Sequence, residues 1–129
     1  MTTAVTPDAR EHASLDPLAS RYVDVAELPW QPTKYKGVEI KVLMEDKERG
    51  LLTALFRWGP GSKLPLHEHV EIEQTFVLEG TLEDDEGEVT AGNFVWRPAG
   101  SRHEARSPNG ALIIAFFLRP NRFFDSGQA

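Results

Sequence analysis

Three of the four histidines lie in two short stretches, Gly61-Ser-Lys-Leu-Pro-Leu-His67-Glu-His69-Val-Glu-Ile-Glu73 and Pro98-Ala-Gly-Ser-Arg-His103. In an extended segment alternate side chains project to one face, so His67 and His69 can place both imidazoles on one cation. Glu73 follows on the next strand with matching parity. His103 must then arrive from a neighbouring strand. Pro98 and Gly100 make the turn able to deliver it, one fixing φ and the other permitting a backbone conformation closed to other residues. Glu71 also has ligand-compatible parity, whereas Glu68 falls on the opposite face, toward solvent.

The rest of the composition narrows what such a site can be. The 129 residues include no Cys, which removes disulfide scaffolds, thiolate zinc sites, iron–sulfur ligation and cysteine nucleophiles. Any metal must be held by His, carboxylate or water. Twenty acidic residues against fourteen Lys and Arg give a net charge of −6 with no basic cluster. Nucleic acid and anionic membrane are therefore poor partners, because such binding draws on cations that neutralise phosphates. A small-molecule substrate or ligand is the expected partner. With 40% hydrophobic and 26% charged residues the chain has the balance of one globular domain. No basic-then-apolar leader is present, nor a run near the roughly eighteen apolar residues of a membrane span, so the default location is cytoplasmic.

The elements that must position the histidines read as short strands. Val38, Ile40, Val42 and Met44 occupy alternate positions, the period of a half-buried strand. Leu51–Trp58, closed by Gly59-Pro60-Gly61, reads as its hairpin partner. Gln74–Leu78 is an apolar run ended by Gly80, and Thr81–Leu82 begins a further strand. Asn93–Arg97 and Ala111–Leu118 are the last clear strands, with Ser107–Gly110 as the turn after a loop that follows His103. Five acids between Glu83 and Glu88 read as a solvated hairpin tip. Many short strands between Gly/Pro turns, without a long helical pattern, predict an antiparallel β-sandwich or barrel. Residues 1–20 read as a flexible arm with a helical turn near Ala9–Leu15, and 21–129 as the single domain. Ala111–Leu118 is apolar on both faces, so something should cover its outer face: a second subunit, or the segment Tyr22–Trp30.

The two stretches resemble the paired motifs of the cupins. The first motif, Gly, five residues, His-x-His, three residues, Glu, six residues, Gly, is met by Gly61, His67, His69, Glu73 and Gly80. The second, Gly, five residues, Pro-x-Gly, two residues, His, is met by Gly92, Pro98, Gly100 and His103. One departure is the weakly specified Asn that follows the last His: position 107 is Ser, with Asn109 two residues late. The resemblance spans roughly Lys34 to Phe117. Within the cupins, Glu73–Asp84 and Arg97–His103 look like a group containing the ChrR-like anti-sigma cupin domain and small dioxygenases that cleave β-diketones. The resemblance implies an all-β, jelly-roll-like double-stranded β-helix, a small barrel of antiparallel sheets with a divalent metal in its mouth, commonly as a homodimer. It implies His67, His69, Glu73 and His103 as ligands, with the spacing to Gly80 favouring Glu73 over Glu71. A sigma-inhibiting role is disfavoured, because this chain has neither the length nor the Cys for the extra zinc-binding helical domain.

Three neutral imidazoles and one carboxylate leave a dication at a charge of about +1 and, if octahedral, two open positions. Fe(II) in such a site points to dioxygenase chemistry on a small carbonyl, β-diketone or hydroxy-ketone, and is the favoured ion. Zn, Mn or Ni would point to non-redox isomerase or lyase chemistry, or to ligand sensing without turnover. No catalytic residue is assigned. Arg57, Trp58, Gln74, Trp96 and Arg97 are candidates to surround the metal, and the sequence leaves open which face of Asn93–Arg97 looks inward. Phe116, Phe123 and Phe124 read as core or dimer contacts.

Overall fold

The computed structural model describes residues 2–124. Ten strands form one curled sheet: β1 (Gln31–Pro32), β2 (Val38–Asp46), β3 (Leu51–Trp58), β4 (Ser62–Glu68), β5 (Glu73–Glu83), β6 (Glu88–Thr90), β7 (Phe94–Arg97), β8 (Arg102–Ser107), β9 (Ala111–Phe117) and β10 (Arg122–Phe123). All pairings are antiparallel, in the order β1-β2-β3-β9-β5-β8-β4-β10, with β6 and β7 also on β5. This is the expected all-β barrel. The only helices among the described residues are 3-10 turns at Arg10–Ser14 and Val25–Glu27, and none is long and apolar enough to cross a membrane.

Strand β5 joins the two halves of the curl. Its first residues pair with β7 and β9, and its last pair with β6 and β8. The sequence reading broke this strand at Gly80, yet it continues to Glu83 with a register shift between Val77 and Glu79. Gly80 explains the continuity. At φ +74°, a Cβ there would lie 2.0 Å from the Gly110 carbonyl oxygen, so only glycine lets the two backbones close the barrel at this point. The stretch after His103, read as a loop, is strand β8 despite its polar composition, because it pairs with β4 on either side of one register shift.

Inward residues sort by depth. Val38, Trp58, Val77, Leu82, Ala105, Ala111 and Ile113 form the packed core at one end. At the other end β4 carries a bulge between Leu64 and His67. The bulge offsets the alternation, so that Leu64 and His67 both line the interior although they are an odd number of residues apart. Pro65, which has no N–H to give a ladder, sits within that bulge.

The N-terminal segment meets the edge of β2. Val5 exchanges two 2.7 Å backbone hydrogen bonds with Glu45, the Thr6 hydroxyl donates to the Leu43 carbonyl at 2.7 Å, and Thr6 and Ala9 are buried. These contacts, with β1 further along, blunt the edge of β2. The predicted helical turn is the 3-10 turn Arg10–Ser14. Tyr22–Trp30 covers the outside of β2 and β3: Lys41 Nζ donates to Val25 O at 2.9 Å, and Arg57 stacks 4.3 Å over the Trp30 ring. The cover stops there. The outer face of β5, β7 and β9 leaves Phe76, Leu78, Phe94, Trp96 and Phe116 exposed.

Candidate metal centre

His67 and His103 are cross-strand partners on β4 and β8, and His69 follows β4 directly. The loop that delivers His103 also fixes His69: Gly100 N–H donates to His69 O at 2.7 Å, and His69 N–H donates to Ser101 O at 2.9 Å. Gly100 holds φ +88° to make that contact, which gives the second motif's glycine its role. The result brings one ligand atom from each of His67, His69 and His103 within 4.8 Å of one another.

Each imidazole is oriented from behind. His67 Nδ1 donates to Pro65 O at 2.8 Å, His69 Nδ1 to Asn121 Oδ1 at 3.1 Å, and His103 Nδ1 to Asp84 Oδ2 at 2.7 Å. Committing Nδ1–H this way leaves each Nε2 with a free lone pair, the tautomer a metal requires. His69 is only 1% exposed, and its Nε2 has no hydrogen-bond partner among the described residues. A buried acceptor without a partner is costly. A divalent cation shared with His67 and His103 would satisfy it, so the donor set fits a metal.

Burial favours the neutral form of His67 and His103. Burial pushes His103 down to about 4, helped by the charge of Arg97 and opposed by Asp84. Burial likewise lowers His67, against the opposing bond to Pro65.

Glu73 stands outside the histidine group. It is buried, with Oε1 2.7 Å from His69 Nδ1 and Oε2 accepting the Thr75 hydroxyl at 2.9 Å. Oε1 lies against His69 without an aligned hydrogen bond, since the ring N–H is directed to Asn121. Burial raises the Glu73 carboxyl, but His69, Thr75 and Arg97 outweigh burial and hold it below its ordinary range. It is a buried carboxylate that lines the same cavity as His67 and His103. Glu71 is exposed, with its carboxylate turned back to the Ile72 N–H at 3.4 Å.

The acidic turn needs the sharpest correction. Glu83 and Asp85 pair with Arg106 on the surface, as a solvated tip would. Asp84 does not. It is 7% exposed, and Oδ2 accepts both His103 Nδ1 and, at 2.8 Å, Arg97 Nη1, while Oδ1 accepts the backbone N–H groups of Glu86 and Gly87. Burial raises its pKa, and these bonds more than compensate, so it is ionised. The signal was present, since Asp84 is two residues beyond buried Leu82 and shares its inward parity.

The remaining candidates separate cleanly. Val95 and Arg97 face inward on β7, and Phe94 and Trp96 outward. Gln74 is on the exposed side of β5, and Arg57 pairs with Glu39 outside the barrel. Trp58 lines the deep end of the interior. Phe123, read as a core or dimer contact, is a wall of the site: β10 sets it beside His67, with ring centroids 4.9 Å apart. Phe124 lies outside, beneath the guanidinium groups of Arg102 and Arg122.

His67 and His103 open onto a cavity of about 360 Å³, walled mostly by apolar side chains including Leu52, Phe56, Leu64, Ile113, Phe117 and Phe123. Such a space suits a small organic molecule with few polar groups.

A curled antiparallel barrel with three converging imidazoles at one end defines a cupin. The ChrR cupin-like domain family matches residues 18–121, and the chain belongs to that family. Among solved structures it is similar to a candidate acetylacetone dioxygenase from Methylibium petroleiphilum PM1, at 23% identity and TM-score 0.77, with 89% of this chain and 88% of that one covered. An acetylacetone dioxygenase from Acinetobacter johnsonii matches at 21% identity and TM-score 0.77, covering 89% and 85%. The anti-sigma ChrR of Rhodobacter sphaeroides, solved with SigE, matches at 20% identity and TM-score 0.61, covering 72% of this chain and 50% of that one. At these identities the likeness establishes the fold. No curated protein matches the chain significantly.

Proposed function

We propose that this protein is a metal-dependent cupin dioxygenase that holds Fe(II) on His67, His69 and His103 and cleaves a small carbonyl, β-diketone or hydroxy-ketone substrate. The observation that carries the reading is the convergence of three imidazoles, each with Nδ1 committed, on the end of a predominantly apolar cavity. The fold likeness to acetylacetone dioxygenases supports it. Glu73, expected as a fourth ligand, stays a proposed one: it lines the same cavity, and its Oε1 accepts no hydrogen bond among the described residues.

When bound, Fe(II) supplies open coordination positions and one-electron chemistry for reaction with O₂. The chain's own residues do the rest. Phe117, Phe123 and Leu64 exclude water from the bound substrate, and the inward histidines fix which end of it faces the metal. Oxygen-electrode assays of the Fe(II)-reconstituted protein against β-diketones and hydroxyacetophenones should give substrate-dependent O₂ uptake. A panel without any uptake overturns the reading.

A second reading, a zinc-type module that binds a small ligand without turnover, is favoured by one feature. Both oxygens of Asp84 are engaged, by His103 and Arg97 and by the backbone, and Glu73 Oε2 by Thr75, so among these carboxylates only Glu73 Oε1 is left to act as a base. Zinc in protein purified without chelator, together with no product from any panel member, selects that reading, or non-redox isomerase or lyase chemistry if product forms without O₂. We also propose a homodimer through the exposed outer face of β5, β7 and β9.

A further inference from the structure

The metal end of the cavity holds a cation whose bonding capacity is only partly used. Arg97 is the cross-strand partner of Glu73 and shares its inward face. Its side chain is 14% exposed and lines the cavity beside His67 and His103. One donor, Nη1, is committed to Asp84 Oδ2 at 2.8 Å, and that same oxygen accepts His103 Nδ1 at 2.7 Å. The shared acceptor ties the guanidinium to the back of a metal ligand, so its position relative to the centre is set. Among the described residues nothing accepts from Nε or Nη2, and neither atom is sealed from solvent-filled space. A guanidinium presents its donors in a planar fork matched to paired oxygens.

The charge balance points the same way. Beside the histidines stand two carboxylates, Glu73 and Asp84, and one guanidinium, Arg97, so a divalent ion leaves the loaded site with one net positive charge. Holding that charge in a mostly apolar cavity is unfavourable, and a ligand with one negative charge cancels it. Building on the metal-centre reading but not on oxygenase chemistry, we propose that Arg97 is a substrate-binding residue for a monoanionic oxygen chelator, whose charged oxygen, enolate or carboxylate, it grips beside the metal. A neutral carbonyl compound that cannot ionise is then a poor ligand.

The test uses Co(II)-loaded full-length protein, whose visible absorption reports binding without turnover, titrated with acetylacetone as an enolate source, pyruvate as a carboxylate and imidazole as a neutral metal ligand. In Arg97→Gln, acetylacetone or pyruvate should bind about tenfold more weakly or worse, as expected for losing a charge-assisted hydrogen bond, with imidazole changed less than about twofold. Arg97→Lys should recover part of the loss, and it carries the test if the Gln variant does not fold. Loss confined to acetylacetone identifies an enolate, and loss confined to pyruvate a carboxylate. Equal weakening of all three ligands means that Arg97 only supports Asp84, and overturns the proposal. So does unchanged anion binding, or failure of both anions to bind the wild type while imidazole binds, with the metal centre left standing. If Co(II) itself does not bind, the metal-centre reading fails and takes this proposal with it.

Discussion

The two faces of strands β5, β7 and β9 reverse the usual arrangement near the metal end. Inside are Glu73, Thr75 and Arg97, all polar and shielded. Outside are Phe76, Phe94, Trp96 and Phe116, all at least 37% exposed. A barrel stabilised only by its core would carry the aromatics inside, since each fully buried side chain of that size is worth roughly 2–3 kcal/mol. The interior there instead holds three histidines that could bind a metal, with charged groups beside them, and the exterior is apolar without a partner among the described residues. On the proposed reading the inner face serves a ligand and the outer face a second copy of the chain.

The largest effect should come from breaking the inner face at its ligands. His67→Ala or His103→Ala removes a third of the histidine donor set and should abolish stoichiometric metal, measured by elemental analysis of protein purified without a tag or chelator. The rise in melting temperature on metal addition should disappear with it, because a ligand stabilises only the state that binds it. Wild-type metal content in either variant would show that the three imidazoles do not act together.

Next in size is the support behind His103. Asp84→Asn keeps an oxygen for the Nδ1–H but removes the charge that also holds Arg97, so metal affinity should fall by about 10- to 100-fold in chelator competition. Asp85→Asn, one residue along on the 92%-exposed tip, should leave it unchanged. Equal effects of the two would return Asp84 to the solvated surface where the sequence first placed it.

The pH dependence of the metal-free protein follows from the same region. His103 titrates near 4 in the fold against 6.5 when free, and His67 is also lowered. Between those values the unfolded chain binds protons that the folded chain refuses. Stability should therefore be level above about pH 6.5 and fall as pH drops toward 4. The lowered carboxyl groups of Glu73 and Asp84 extend the loss below the ordinary carboxylate range. Melting temperatures across pH 4–7 should show this slope, and His103→Gln should flatten part of it. A wild-type profile flat to pH 4 would contradict the buried neutral rings.

Legibility in the sequence followed the range of the interactions. His67, His69 and His103 were readable because strand alternation and a Pro-Gly turn determine their directions locally. The barrel was readable from its turns, and Gly80 marked a close approach even though it did not mark a strand end. Asp84 was obscured by four acidic neighbours that do lie at a polar tip, although its parity with Leu82 identified its side. Asn121 and Phe123 carried no local signal at all: they meet His69 and His67 across more than fifty residues, through a two-residue strand that exists only because β4 offers it an edge. The contacts of Val5 and Thr6 carried no local signal for the same reason, because they are made with the distant edge of β2.

The smallest effect on the isolated chain should come from the outer face. Trp96 is 56% exposed and Phe94 is 50% exposed, so replacing both with Ser removes little buried surface and should change monomer stability by about 0.5 kcal/mol or less per site. The two residues lie on β7 beside Phe76 and Gln74 of β5, and β5 continues the face to Phe116 of β9, so the aromatics form a connected patch rather than scattered exposures. Patches of that kind are uncommon on monomers without a partner. Size exclusion with light scattering should give a wild-type dimer at micromolar concentration, and the double variant should run as a folded monomer with its metal content intact. A strict wild-type monomer would remove the homodimer and leave the aromatic face without a second copy to cover it. A dimer that survives the double substitution would place the contact elsewhere, and the inside-out arrangement of β5, β7 and β9 would then reflect the needs of the metal end alone.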